Sequence, residues 1–469
     1  MIICDAGLCT DCAKCIKVCP TDALKFPALN DAAAATTSFG SNGSGPTGAR
    51  LTGGGWSSTT VREIQEKART GKHIVRGCGT TRKLPTFDDV ILLSAGLSRM
   101  PVDTYREAGV TRTVLGARYA KKPLVIETPI MVAPMSYGAL SKESKVALAM
   151  GSARVGTAIN NGEGGLLPEE RQNSYRQIVQ ITPSRFGFSL RNIEEADALE
   201  LVFGIGAKPG LSGHLMAEKM SAEVAAFRGL PPGIDLASHP RHGDIFGADD
   251  LVVKLAELRE ITNNEKPIFL KVGAGRVYED VKIAAKVGVD GVTIDGMQGG
   301  TGAGPKIAID HLGMPTLAAL VQATRALEDM GLKDEVSLMV SGGIRDGADV
   351  AKALAMGADA VYVGTGAMVA MGCTVCLQCE KGECEFGIGT QKPELRARLN
   401  VKLAAARVAN YFTAMTNEAV ILAKACGKSN IHNLEREDLR TVTLEACAMT
   451  GIPFIGSDYT FTEPFGFFR

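Results

Sequence analysis

Eight of the twelve cysteines stand in two short runs, and thiolates at that density bind soft metals. Cys9, Cys12, Cys15 and Cys19, followed by Pro20, form C-x2-C-x2-C-x3-C-P. That spacing lets one short loop wrap a 4Fe-4S cube, whereas a zinc site usually takes ligand pairs separated by a longer connection. Cys373, Cys376, Cys379 and Cys384 form the second run, C-x2-C-x2-C-x4-C. Cys4 and Cys78 are spare thiols that either complete a cube or pack as small apolar side chains. The fourth cysteine of the first spacing often serves a neighbouring cluster, so the number of clusters stays open. Cys426 and Cys447 stand alone in apolar helical segments and read as core.

A second set of residues suits a phosphate and a flat ring. Gly342-Gly343 and Gly364-Thr365-Gly366 each follow an apolar run and offer uncrowded backbone N–H groups to a phosphate. Lys271, at the end of PIFLK, can face the electron-rich side of a reduced flavin. Ser136, Asn160, Asn161, Glu163 and Gln180 can hydrogen-bond a ring edge or a substrate, and Asp295 and Gln298 lie in the loop IDGMQGGTGAGP, where they serve either chemistry or a cap. Lys208 in GAKPG, with His239, Arg241, His242 and Asp244 in SHPRHGD, offers a cationic face to an anionic substrate, the histidines reading equally as structural hydrogen-bonding groups of the loop.

These residues need a scaffold that collects them, and the chain supplies a repeating one. From about residue 124, apolar runs such as PIFLKVG, DGVTIDG, VSLMVSGG and ADAVYVGTG alternate with segments of helical period such as RVYEDVKIAAKVG and PTLAALVQATRALEDMG. Strand and helix in strict turn predict an α/β fold, a (β/α)8 TIM barrel, whose chemistry gathers at the C-terminal ends of the strands. The chain divides into an iron-sulfur segment at 1–29, a linker or extended arm at 30–84, the barrel at 85–395 with the cysteine loop 373–384, and a helical extension at 396–469. In the extension a helical pair is expected, then a helix over LEREDLR capped by Asn433 in preference to Asn430, with Leu434, Leu439 and Leu444 on its packing face.

The 51 basic and 51 acidic residues cancel, which gives no overall field for nucleic acid or a membrane surface. The apolar stretches are short and broken by glycine, so no membrane span is expected. Clustered cysteines, with no apolar leader after MIICDAG, indicate a reducing, cytoplasmic setting.

Seven motifs in order, PMSYGALSKES, INNGEGG, GIGAKPGLSG, HPRHGDIFGADDL, DGMQGGTGAGP, SGGIRDGADV and GTGAMVAMGC, resemble the flavin-binding synthase domain of glutamate synthases over roughly residues 85 to 395. The opening run resembles bacterial ferredoxins over about the first 25 residues. The first resemblance implies FMN held by Pro134, Met135, Ser136, Asn160, Gln180, Lys271, Asp295, Gly299, Gly300, Gly342, Gly343, Gly364 and Thr365, with Glu163, Lys271 and Gln298 as the catalytic set. It also implies a 3Fe-4S cluster on Cys373, Cys379 and Cys384, which Cys376 either extends to 4Fe-4S or packs beside without ligating.

The implied reaction is reductive amination of 2-oxoglutarate to glutamate through 2-iminoglutarate. Separate glutaminase-type and glycine-repeat β-helix subunits are expected, with a ferredoxin or an NAD(P)H oxidoreductase subunit as electron donor. The chain is also similar to the FMN subunit of N-methylglutamate synthase, where methylamine replaces ammonia. The family's HDGG is Met297, Gln298, Gly299 and Gly300 here, and the loop after Lys271 is shorter, so an FMN oxidoreductase acting on another oxo acid is a further reading.

Overall fold

The computed structural model describes residues 56–211 and 213–457. The opening cysteine run lies outside the described residues. The chain forms two compact units, residues 1–71 and 72–469. In the first, a helix spans Ser58–Thr70, capped at its start by the Ser57 hydroxyl on Thr60 N–H and at its end by left-handed Gly71.

In the second unit eight parallel strands close into a barrel in sequential order. They are β1 (Ile130–Val132), β2 (Ala158–Asn160), β3 (Arg176–Ile181), β4 (Ala198–Val202), β5 (Ile268–Gly273), β6 (Gly291–Asp295), β7 (Ser337–Ser341) and β8 (Ala360–Val363). Eight helices follow them in turn: α1 (Lys142–Arg154), α2 (Pro168–Asn173), α3 (Leu190–Glu195), α4 (Ala248–Ile261), α5 (Val277–Val287), α6 (Thr316–Asp329), α7 (Gly347–Ala355) and α8 (Thr365–Met371).

The strands read as continuous apolar runs because both faces are buried. Their alternate residues nevertheless do different work. Ile159, Val179, Leu201, Ile268, Leu270, Val292, Val340 and Val361 face the helices and join one core. Met131, Ala158, Ile178, Ala198, Phe269, Met339, Ala360 and Tyr362 face inward and form a second, which a hairpin of Thr113–Leu115 and Leu124–Ile126 plugs with Leu115, Leu124 and Ile126. Small or apolar side chains therefore fill the end where the strands begin. Polar residues at the same inward parity, Asn160, Gln180, Glu200, Lys271, Thr293, Asp295 and Ser341, fall nearer the C-terminal end.

After the barrel, one 25-residue helix, α9 (Val401–Ala425), replaces the expected pair, because nothing in its apolar pattern breaks it. Gly151 of α1 and Gly347 of α7 let it approach: a Cβ on either would lie 2.8 Å from Val408 or 2.3 Å from the Met415 carbonyl. The segment LEREDLR is not a helix. It holds a single 3-10 turn, Arg436–Asp438, and a strand, Leu439–Thr441, that pairs with Val90–Leu92. The cap falls at Asn430, which takes His432 N–H ahead of the turn Ile431–Asn433. Leu434 and Leu439 are buried, whereas Leu444 is exposed. Helical spacing missed this because a cross-strand partner more than 300 residues away sets the conformation.

Candidate active site at the barrel mouth

The inward polar residues form two tiers. In the lower one the fully buried Glu200 accepts from Asn160 Nδ2 at 2.9 Å and Gln180 Nε2 at 2.7 Å on one oxygen, and from Thr293 Oγ1 at 2.9 Å on the other. Three donors offset part of the cost of burying a carboxylate. Glu200 thus fixes Asn160 and Gln180, two of the sequence-predicted ring contacts. The Tyr362 hydroxyl shares this tier, and burial, followed by the Glu200 charge, raises its pKa well above the usual range.

In the upper tier Lys271 Nζ lies 3.3 Å from Asp295 Oδ2. Ser341 Oγ donates to Asp295 Oδ1 at 2.5 Å and Gly206 N–H to Oδ2 at 2.9 Å. Both side chains are buried, so the carboxylate orients the ammonium and offsets part of its desolvation. Above them, loops after β6, β7 and β8 meet through their glycines. A Cβ on Gly299 would lie 2.8 Å from Asp295 Oδ1, one on Gly300 3.1 Å from Thr365 Oγ1, and one on Gly343 3.0 Å from Gln298 Cβ. Gly342 and Gly343 both have positive φ, 110° and 82°. A cavity of about 180 Å³ opens here, lined by Thr86, Phe87, Gln298, Thr316, Leu317, Gly342, Gly343 and Arg345.

Gln298 has a structural task in this cavity wall. Its Oε1 accepts from Thr316 N–H and Oγ1, both at 2.8 Å, and its Nε2 donates to the Pro85 carbonyl at 3.3 Å. It thereby supplies the cap that Pro315 cannot give α6. Arg345 forks onto Asp88 at 2.7 and 2.8 Å and onto Asp349 at 3.0 and 3.1 Å, so its charge is already matched.

The loops after β1, β2 and β4 carry the other sequence-predicted residues. Pro134, Met135 and Ser136 follow β1, and Gly162 approaches so closely that a Cβ would lie 2.8 Å from Ser136 N. Glu163 Oε1 accepts from Ser238 Oγ at 2.6 Å, while Gly213 leaves room for its other oxygen. Lys208 is buried, and its Nζ donates to the Ala303 carbonyl at 2.6 Å. Burial pushes its pKa down to about 8, against the opposing pull of the Glu163 charge. In the SHPRHGD segment His242 takes the structural hydrogen-bonding role, and His239 and Arg241 stay at the surface. Buried His242 places Nε2 2.9 Å from the Val202 carbonyl, and Asp244 is paired with Arg185 and Lys254.

The second cysteine run leaves α8 as a tight loop. Val375 and Leu377 take left-handed φ of 54° and 61°, and Val375 N–H donates to Cys373 Sγ at 3.4 Å. Cys373, Cys379 and Cys384 are half-buried and Cys376 is exposed. Cys78, left as a spare thiol by the sequence, arrives from the far end of the chain. A two-residue strand, Val75–Arg76, pairs with Gly304–Pro305 and sets buried Cys78 Sγ 3.9 Å from Cys379 Sγ. Among the described residues, no three His, Cys, Asp or Glu side chains converge as ligands of a single ion. Four thiols within one turn-rich loop, with a backbone N–H on a sulfur, fit a cluster with ligands on separate irons.

Residues 88–429 match the family described as the conserved region in glutamate synthase, and residues 5–25 match the 4Fe-4S binding domain. The chain is 48% identical to the glutamate synthase large subunit-like protein of Rhizobium meliloti over 416 residues, 85% of this chain and 94% of that one. It is 36% identical to the archaeal NADPH glutamate synthase of Archaeoglobus fulgidus over 466 residues, 94% and 88% of the two chains. Among solved structures, a lactate oxidase of Pediococcus acidilactici superposes with TM-score 0.50 at 16% identity, over 76% of this chain and 84% of that one. The flavin-binding domain of baker's yeast flavocytochrome b2 gives 0.50 at 18%, over 77% and 78%. Those two likenesses establish the barrel fold. By its matched region and its relatives, the chain belongs to the glutamate synthase family of FMN-dependent oxidoreductases, with a 4Fe-4S binding segment over residues 5–25.

Proposed function

We propose that this chain is the FMN and iron-sulfur subunit of a glutamate synthase-like complex, reductively aminating 2-oxoglutarate to glutamate through 2-iminoglutarate. The observation that carries the reading is the buried Lys271–Asp295 pair beneath a glycine-lined cradle, with the cysteine loop leaving the last barrel strand through α8. FMN, when bound, supplies the hydride chemistry. Gly299, Gly300, Gly342, Gly343, Gly364 and Thr365 would hold its phosphate side, and Pro134, Met135, Ser136, Asn160 and Gln180 its ring side. Cys9, Cys12, Cys15 and Cys19 would hold one 4Fe-4S cluster, and Cys373, Cys376, Cys379 and Cys384 a second.

The chain's own groups then have defined work. Lys271 Nζ, aimed by Asp295, presents positive charge where a reduced ring becomes negative. Glu163, aimed by Ser238, faces the incoming amine. Lys208 offers its ammonium to a substrate carboxylate. Gln298 is a positioning residue, since both ends of its amide are engaged in holding α6 and the residue 85 segment. Ammonia would come from a glutaminase-type subunit beside a glycine-repeat β-helix subunit. Electrons would come from a ferredoxin or an NAD(P)H oxidoreductase subunit, in the cytoplasm.

Lys208 gives this reading a pH signature. Its pKa near 8 means that it carries charge below pH 8 and loses it above. An anionic substrate favours the charged form, as Glu163 does, while neighbouring His214, held neutral chiefly by burial, adds no competing cation at that pH. The KM for 2-oxoglutarate is therefore expected to rise as pH passes upward through about 8. Lys208→Met raises it at pH 7 by roughly 10- to 150-fold, the worth of about 1.5–3 kcal/mol for a charged hydrogen bond, and flattens the profile. A flat wild-type profile between pH 6.5 and 9.5 contradicts the role. Mass analysis of the product formed with ammonia or with methylamine tests the reaction: glutamate from ammonia supports it, and exclusive N-methylglutamate replaces ammonia with methylamine as substrate.

A further inference from the structure

The backbone carbonyls of the loop that follows β1 are clamped by buried side chains from four separate segments. Lys145 Nζ donates to Met135 O at 2.6 Å, Arg228 Nη2 to Tyr137 O at 2.6 Å, and Gln391 Nε2 to Gly138 O at 3.0 Å and Leu140 O at 2.8 Å. The fourth clamp is Lys219, whose Nζ donates to Ala139 O at 2.5 Å and also to Cys379 O at 3.1 Å. One ammonium thus joins the flavin-side loop to the cysteine loop.

Lys219 differs from Lys145 and Lys271 in what balances it. Lys145 is paired with Glu170 at 2.9 Å and Lys271 with Asp295 at 3.3 Å. Lys219 is 1% exposed, and among the described residues no carboxylate lies within ion-pair distance of it. The nearby Glu380 carboxylate is turned to Gly77 N–H at 3.0 Å. Two carbonyl dipoles do not neutralise a buried cation. The surroundings are nevertheless shaped to admit it. A Cβ on Gly382 would lie 3.0 Å from Lys219 Cγ, and one on Gly389 would lie 4.0 Å from Nζ and 3.9 Å from Cys384 Cβ. The ammonium head therefore sits beside Cys379 and Cys384.

What would balance Lys219 is negative charge on the cysteine loop, and an iron-sulfur cluster ligated by thiolates is a net anion that becomes more negative on reduction. We propose that Lys219 is the fixed counter-charge of the cluster held by residues 373–384, raising that cluster's reduction potential while bolting its loop to the loop beneath the flavin. The inference rests on the cluster reading given above. A cation favours the more negative state, so it favours uptake of one electron by the cluster from an external reductant.

The test is a redox titration of the full chain, carrying FMN and both clusters, followed by electron paramagnetic resonance. Cys379→Ser identifies which signal belongs to the loop. Lys219→Gln keeps a donor and removes the charge, Lys219→Arg keeps both, and Lys219→Met removes both. The Gln variant is expected to disfavour reduction of the loop cluster at least tenfold, about 59 mV for one electron, with Arg restoring most of the loss and the N-terminal cluster unmoved. If Met loses the cluster altogether, the Gln and Arg pair still decides. Unchanged potential in Lys219→Gln with iron content intact overturns the counter-charge role alone. A Cys379→Ser protein that loses no iron overturns the cluster reading itself.

Discussion

Lys271→Met is expected to lower turnover by about 10²- to 10³-fold, the loss typical of removing one preorganised electrostatic donor from an enclosed site. The ammonium is buried, and its position is set by one carboxylate that is itself anchored by Ser341 and Gly206. Deleting it removes positive charge from the barrel axis and leaves Asp295 as an unpaired buried anion. That second effect costs about 3–5 kcal/mol of stability by itself, so a single variant confounds folding with chemistry. The double variant Lys271→Met with Asp295→Asn removes both charges and should recover much of the stability, yet remain as slow as the single. Stopped-flow absorbance of the flavin, with thermal unfolding in parallel, separates the two quantities. Recovery of activity along with stability in the double variant contradicts an electrostatic role for Lys271.

The second large effect falls on the cysteine loop. Cys379→Ser should remove one cluster's iron and reduce electron delivery from a physiological donor to the limit of detection, while dithionite still reduces the flavin directly. Cys379 is the meeting point of the loop: it lies 3.9 Å from Cys78 Sγ, and its carbonyl receives Lys219. Exposed Cys376 should behave differently. Its replacement by Ser should convert a diamagnetic oxidised 4Fe-4S centre into a paramagnetic three-iron centre, because Cys373, Cys379 and Cys384 are the three thiols that the family resemblance implies for a 3Fe-4S cluster. Loss of no iron in Cys379→Ser, read by metal analysis, removes the loop from the account.

The barrel was legible because its signal is local and repeated. Each apolar run of about five residues is followed by a segment of helical period, and glycine marks the strand ends. The same local signal found Lys271, Asp295, Gly342 and Gly343, which all lie at those ends. Residues that act through distant partners were not legible. Glu200 reads as one acid in the apolar run ALELV, and only closure of the barrel brings Asn160, Gln180 and Thr293 to it. Cys78 and Cys379 are 301 positions apart, and no spacing rule relates them. Lys219 sits in a one-turn 3-10 helix, Ala217–Lys219, with no motif to mark it. Gln298 in its glycine loop could read as chemistry or as a cap, and which helix it caps is visible only in three dimensions. For His242 the structural reading of its loop holds, since it is hydrogen-bonded to a barrel carbonyl.

The measurement that bears most directly on the whole account is anaerobic stopped-flow reoxidation of the reduced, FMN-loaded chain by 2-oxoglutarate with and without ammonium. The account predicts rapid return of the oxidised flavin spectrum only when both are present, with one glutamate formed per flavin reoxidised. A chain shown to hold FMN and both clusters, yet silent to 2-oxoglutarate with any amine, contradicts the assignment of this site to reductive amination.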